Sequence, residues 1–291
     1  MPKTFVVAGA TGRVGSVVAR ELLSRGNHVR ALIRDPAAAG RVDPRAEPVP
    51  VPLDDRPALA RALGGAEAFF TLLPETVPPD DFRGRRRRMA DALAGAVQDA
   101  DVPRAVILSA IAAGVAEGNG PARELRYLED AFRSGRAVVT AVRPTYFQEN
   151  VAAMADVARA SGIYPSFMPA ADAAFPTAAT RDVGVVAAER MQAAEARTET
   201  LDVLGPAYSV RQMAERLARA VGRDVRVVDI PAGRHVAALV EAGVPEPIAE
   251  VYAEMFAGIA AGIMVPRGDR VVTVATTLEQ TLRDALARSA A

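Results

Sequence analysis

The chain contains no cysteine. Disulfides, thiolate nucleophiles, iron–sulfur clusters and cysteine zinc sites are excluded together. Tryptophan is also absent, and the two histidines, His28 and His235, are too few for a multi-histidine metal centre. Lysine occurs once, as Lys3, beside 34 arginines. No lysine is therefore at hand for a Schiff base or for a tyrosine–lysine proton-transfer pair. Apolar runs stay well short of the ~18 residues of a membrane span. Met1-Pro2-Lys3 leads straight into a strand pattern without a signal-peptide profile. A soluble, cytoplasmic protein is the expectation. Basic and acidic residues number 35 each, so no net field draws in nucleic acid or an anionic membrane.

What is present is an ordinary globular composition. Half of the residues are hydrophobic and 24% are charged, which excludes wholesale disorder. The length of 291 residues accommodates one large domain or two small ones. The first half alternates short apolar runs with amphipathic ones. Strands are expected at 4–8, 29–33, 49–53, 68–73, 105–109 and 137–142, and helices at 14–25, 57–63, 80–100 and 122–133. Pro48, Pro50 and Pro52 restrict the third strand to an edge. This rhythm predicts an α/β, Rossmann-type doubly wound parallel sheet, residues 1–150, covered on both faces. Residues 151–291 are expected to form a smaller α/β lobe packed on it, with the chain free to cross between lobes. That part shows helices at 182–194, 209–221 and 279–288, strands at 200–204 and 225–230, and a helical stretch broken at Pro245 and Pro247.

Gly9-Ala10-Thr11-Gly12-Arg13-Val14-Gly15 follows the first strand and opens the first helix. Glycines at this spacing permit a tight turn, close backbone approach to a pyrophosphate, and close packing of helix on strand. The helix N-terminus adds unpaired N–H groups and partial positive charge. Dinucleotide binding is the reading. Strand two ends in Arg34-Asp35-Pro36. An acidic residue there favours the 2′-hydroxyl of NAD and an arginine the 2′-phosphate of NADP. Asp35, just before Pro36, suits a helix cap. Arg34, with Arg13 opposite, suits a dianionic phosphate, so NADP(H) is preferred over NAD(H).

The glycine turn, the strand end 29–36, Phe69-Phe70-Thr71-Leu72-Leu73-Pro74, Val106-Ile107-Leu108-Ser109-Ala110 and Val142-Arg143-Pro144-Thr145-Tyr146-Phe147-Gln148-Glu149-Asn150 occur in order. Together they resemble the NmrA-like branch of the atypical short-chain dehydrogenase/reductase superfamily. Asp182-Val183-Gly184 is similar to the segment where that branch re-enters its carboxyl lobe. The resemblance spans most of the chain and is weakest beyond about residue 230. It implies cofactor contacts from Gly9, Thr11, Gly12, Arg13, Val14, Gly15 and Arg34. It also implies contacts from Leu72, Leu73, Pro74 and Ser109, and from Pro144, Thr145, Tyr146 and Phe147 beside the nicotinamide. An acidic residue common near the adenine is replaced by Pro52, which leaves that role to backbone groups or Asp54.

Ordinary members of the superfamily use Tyr-x-x-x-Lys, and this chain does not. By spacing, Arg123 stands near the lysine position and Asn119 at the tyrosine position. Arginine cannot act as a base but can bind a ribose or an anion. Tyr127, one turn after Arg123, is a weak catalytic candidate; a tyrosine packed against the sheet is the commoner outcome. Hydride transfer to a quinone asks less of the protein, which has only to orient the acceptor and stabilise negative charge. Tyr146, Asn150 and the apolar stretch 163–168 are the candidate acceptor pocket. Two functions stay open. One is an NADPH-dependent reductase of quinone or small carbonyl acceptors. The other is a non-catalytic NADP(H) sensor acting through a protein partner. A small apolar substrate is expected, nucleic acid is disfavoured, and a homo-oligomer or a regulatory protein partner stays open. The run Arg83-Gly84-Arg85-Arg86-Arg87-Arg88 reads as a solvated face or an oligomer contact, and 251–265 as lobe core, lid or dimer face.

Overall fold

The computed structural model describes residues 2–74, 78–168 and 170–289. Its strands are β1 (Thr4–Ala8), β2 (His28–Ile33), β3 (Glu47–Pro50), β4 (Ala68–Thr71), β5 (Arg104–Leu108), β6 (Val138–Pro144), β7 (Tyr146–Phe147), β8 (Ile163–Ser166), β9 (Phe175–Ala178), β10 (Glu199–Leu204), β11 (Ala207–Tyr208), β12 (Arg226–Asp229) and β13 (Arg270–Thr273). Eight of them form one sheet in the order β3-β2-β1-β4-β5-β6-β10-β13. Every adjacent pair in it is parallel.

Alternation along β1 explains the two covered faces. Phe5 and Val7 enter one core, with residues of the helices Gly15–Ser24 and Thr180–Gln192. Val6 and Ala8 enter the other, under Arg56–Leu63, Phe82–Asp99 and Ala122–Arg133. A strand buried on both faces has to be apolar, and β1 is from Phe5 to Ala8. β3 begins at Glu47 and ends at Pro50, earlier than the apolar run suggested. It lies at the sheet edge, where missing N–H donors cost least.

The chain beyond residue 150 contributes to both parts of the molecule. β10 and β13 extend the sheet past β6. Helix Thr180–Gln192 lies on helix Gly15–Ser24, where a Cβ at Gly184 would sit 2.6 Å from Val17 Cβ. The rest surrounds a separate core that includes Val151, Tyr164, Tyr208, Met213, Leu217 and Leu282. Helix Val210–Val221 starts in a capping box of Ser209 with Gln212 and stops at left-handed Gly222, as its flanking residues predict. β7, β8, β9, β11 and β13 escape sequence reading, since runs of two to four residues carry little period and these lack the flanking strand–helix rhythm.

Gln148 and Glu149 tie the parts together. Both are buried. The Gln148 amide donates to Thr276 O at 2.9 Å and accepts from Thr281 Oγ1 at 2.6 Å. Glu149 accepts from the Thr180 N–H and Oγ1 at 2.9 and 2.5 Å, capping that helix from a distance. Among the described residues, no helix is long and apolar enough to cross a membrane.

Candidate active site

Outward from β1 the strand order reverses: β2 and β3 lie on one side, β4, β5 and β6 on the other. Ligands of open α/β sheets bind in the crevice at the carboxyl end of such a switch point. The glycine turn sits there. Gly9 has φ +68°, and its carbonyl accepts from the Gly12 N–H at 2.8 Å. A Cβ on Gly15 would lie 2.3 Å from Gly9 O, a contact that backbone cannot yield to cheaply. Helix Gly15–Ser24 therefore begins as close to β1 as glycine allows. Its N-terminus has no side-chain cap. Ser16 and Val17 N–H bond back to Gly12 O and Val14 O, and the positive end of the helix dipole is left to an outside anion, which fits a pyrophosphate.

The strand-two tip separates its two charged residues. Asp35 accepts from the Ala37 N–H at 2.9 Å and caps the short 3-10 turn Pro36–Arg41. Arg34 and Arg13 are exposed. Asp54 is exposed, and Asp55 caps helix Arg56–Leu63 through the Ala58 N–H.

The β4 tip carries Leu72, Leu73 and Pro74. Leu72 packs over Gly9, with Cδ2 2.9 Å from where a Cβ would stand. The Pro74 carbonyl accepts from Arg86 Nη1 at 2.7 Å. Arg86 is buried and lies 5.2 Å from the Phe82 ring centroid. Arg83 also turns inward. It binds the fully buried Glu124 at 3.1 Å and Glu254 at 2.8 Å, linking three helices. The arginine run is thus only partly the solvated face its sequence suggests. Carboxylates brought in from helices Ala122–Arg133 and Glu246–Ala260 claim its inner members.

Ser109 follows β5 and sits on a buried network of charged side chains. Its hydroxyl donates to Glu129 Oε1 at 2.6 Å. Arg143, from β6, grips Glu129 with two bonds of 2.7 and 2.5 Å, and Arg133 adds a third contact at 3.1 Å. Sequence reading missed this network; its one signal is an arginine near the end of a largely apolar strand.

The positions that replace the tyrosine–lysine pair do other work. Asn119 is fully buried and donates to the carbonyls of Ala112 and Val115 at 3.1 and 2.9 Å. It staples the loop after β5. Arg123 is exposed at the start of its helix. Tyr127 donates to Asp91 Oδ1 at 2.9 Å on helix Phe82–Asp99, under the Arg87 guanidinium. The Asp91 carboxylate and burial push its phenol up, and its proton is committed to that carboxylate.

Pro144 and Thr145 are buried at the end of β6, and Thr145 Oγ1 donates to Val203 O at 3.3 Å. Phe147 packs into the sheet core. Tyr146 points the other way and meets Phe175 edge to face at 5.7 Å. Its hydroxyl interacts with Tyr164 and Asn150. Burial pushes the Tyr146 phenol up, while Tyr164 and Asn150 pull it partly back. Tyr164, beneath it, is raised further by burial and by Tyr146. The structure thus unites Tyr146, Asn150 and the 163–168 stretch. Phe167 of that stretch stacks on Phe256 at 4.9 Å, and His235 meets both rings on edge. Helix Glu246–Ala260 closes over the loop after β5, where a Cβ on Gly120 would touch Val251 O at 2.5 Å.

Known proteins resemble this chain over most of its length. An NAD(P)H azoreductase of Xenophilus azovorans is 29% identical over 270 residues, spanning 89% of this chain and 90% of the relative. Quinone oxidoreductase 2 of Escherichia coli is 25% identical over 262 residues, spanning 89% and 88%. Among solved structures, an NADPH complex of the Escherichia coli NADPH-dependent quinone oxidoreductase superposes with a TM-score of 0.81 at 22% identity, covering 97% of this chain and 99% of that one. The model of the NmrA-like family matches residues 1–262. The chain belongs to the NmrA-like family.

Proposed function

We propose that the protein is an NADPH-dependent reductase of quinone or small carbonyl acceptors. The observation that carries this reading is the glycine turn at the switch point, with an uncapped helix N-terminus behind it. The reductase names of its relatives support it. Gly9, Thr11, Gly12, Arg13, Val14 and Gly15 hold the pyrophosphate. Arg34 and Arg13 take the 2′-phosphate, since Asp35 is occupied as a cap. Leu72, Leu73, Pro74, Ser109, Pro144, Thr145 and Phe147 frame the nicotinamide, with Arg123 at the ribose side. Tyr146 and Asn150 face the acceptor. When bound, the reduced dinucleotide supplies a hydride. The protein aligns the acceptor and excludes water with its aromatic wall.

The test is NADPH oxidation by purified protein with a panel of quinones and aldehydes, with NADPH binding measured in the same sample. Saturable turnover with one acceptor class is expected. Binding without turnover of any acceptor would turn the assignment to a dinucleotide-sensing regulator. A second expectation concerns the turn. Gly15→Ala places a methyl against Gly9 O and should weaken NADPH binding at least about tenfold, read by fluorescence titration.

A further inference from the structure

Reduction of a quinone or a carbonyl takes a proton as well as a hydride, and most polar side chains around the crevice cannot give one. Ser109 has its proton committed to Glu129, which also accepts two bonds from Arg143. Asn119 has both carbonyl bonds to keep and no acidic proton. Arg123 is not an acid at any working pH. Thr145 donates to Val203 O, and Tyr127 to Asp91. The His235 ring places Nε2 3.0 Å from Ile230 O, inside its own lobe. Tyr208 accepts from the Leu278 N–H in the lobe core. Tyr146 differs. It lies two residues past β6 at the carboxyl edge of the sheet and stays partly open to solvent; its ring packs on Phe175 and the rim of the lobe core, and its hydroxyl interacts with Tyr164 and Asn150.

We propose that Tyr146 is a catalytic residue that donates its phenolic proton to the acceptor oxygen, with Tyr164 and Asn150 as positioning residues. The inference rests on the reductase reading. In the step, the acceptor gains a hydride from the reduced dinucleotide and a proton from Tyr146 Oη. The Oη–H bond breaks as the new O–H bond forms on the acceptor. The dinucleotide is oxidised, a quinone becomes a hydroquinone, and water reprotonates Tyr146. Two phenols side by side suit this work. Tyr164 can donate to Tyr146 Oη as negative charge arrives there, which replaces the missing lysine with a neutral hydrogen bond.

Tyr146→Phe tests the assignment. A NADPH titration of the variant first establishes that the fold has survived. Turnover of 1,4-naphthoquinone should fall about a hundredfold in kcat, the range of a lost general acid. A readout without turnover accompanies it. The oxidised-dinucleotide complex is titrated with 4-nitrophenolate, whose oxyanion resembles the charge that develops on the acceptor. Its binding should weaken about tenfold in Tyr146→Phe, as expected for a lost bond to a charged oxygen. Equal nitrophenolate affinity in the two proteins, or equal naphthoquinone turnover, overturns the proton-donor role. Absence of turnover in the unaltered protein with every acceptor overturns the reductase reading instead.

Discussion

Arg34→Asp is expected to weaken NADPH binding about a hundredfold while leaving NADH binding within about threefold. Backbone direction carries the residue after Ile33 out of the sheet beside the glycine turn. Asp35 spends its carboxylate on the Ala37 amide, so it does not repel a phosphate from a free position. Arg34 is exposed and has a fork geometry that matches a dianionic phosphate. Removing it deletes charge-assisted bonds worth roughly 1.5–3 kcal/mol, and the new carboxylate adds repulsion. NADH carries no 2′-phosphate and loses little. Parallel fluorescence titrations with the two dinucleotides read the ratio. Unchanged affinities for both would remove Arg34 from the site and leave the 2′-phosphate to Arg13 alone.

Glu129→Ala should have the largest effect on stability, about 3–5 kcal/mol, read as a lower urea midpoint. Glu129 is fully buried and serves Ser109, Arg143 and Arg133 at once. Without it, the Arg143 guanidinium stays inside the protein, about 5% exposed, with its countercharge gone. Breaking one side of a buried pair costs far more than replacing both. Glu129→Leu combined with Arg143→Met is therefore expected to recover most of the loss. Arg133 tolerates the change better, because its guanidinium is partly solvated and also donates to Thr200 Oγ1 at 2.6 Å. A single variant as stable as the unaltered protein would show that the network is dispensable.

The two predictions draw on different kinds of legibility. The expectation for Arg34 depends on neighbours in sequence: a strand before it, a cap and a proline after it. The same holds for the glycine turn, for the capping box at Ser209 and for the edge position of the proline-bearing β3. The role of Glu129 is not readable, because Ser109 and Arg143 lie 20 and 14 residues away outside its helix, and only Arg133 is local. Tyr127 shows the same limit. Its helical position allowed the crevice, and Asp91, 36 residues distant, took the hydroxyl elsewhere. Arg83 and Arg86 looked solvated until Glu124, Glu254 and the Pro74 carbonyl were brought to them.

By itself, then, the amino-acid order determined the alternation of strand and helix, the parallel sheet and the phosphate-binding turn. These follow from hydrophobic period, backbone restriction at glycine and proline, and capping, all set within a few consecutive residues. Tertiary structure alone decided that β10 and β13 would complete the sheet, that Gln148 and Glu149 would pin the lobes, and that Tyr146 would face Tyr164. Burial forces each polar group to find a partner, and only the folded chain determines which partners come within reach.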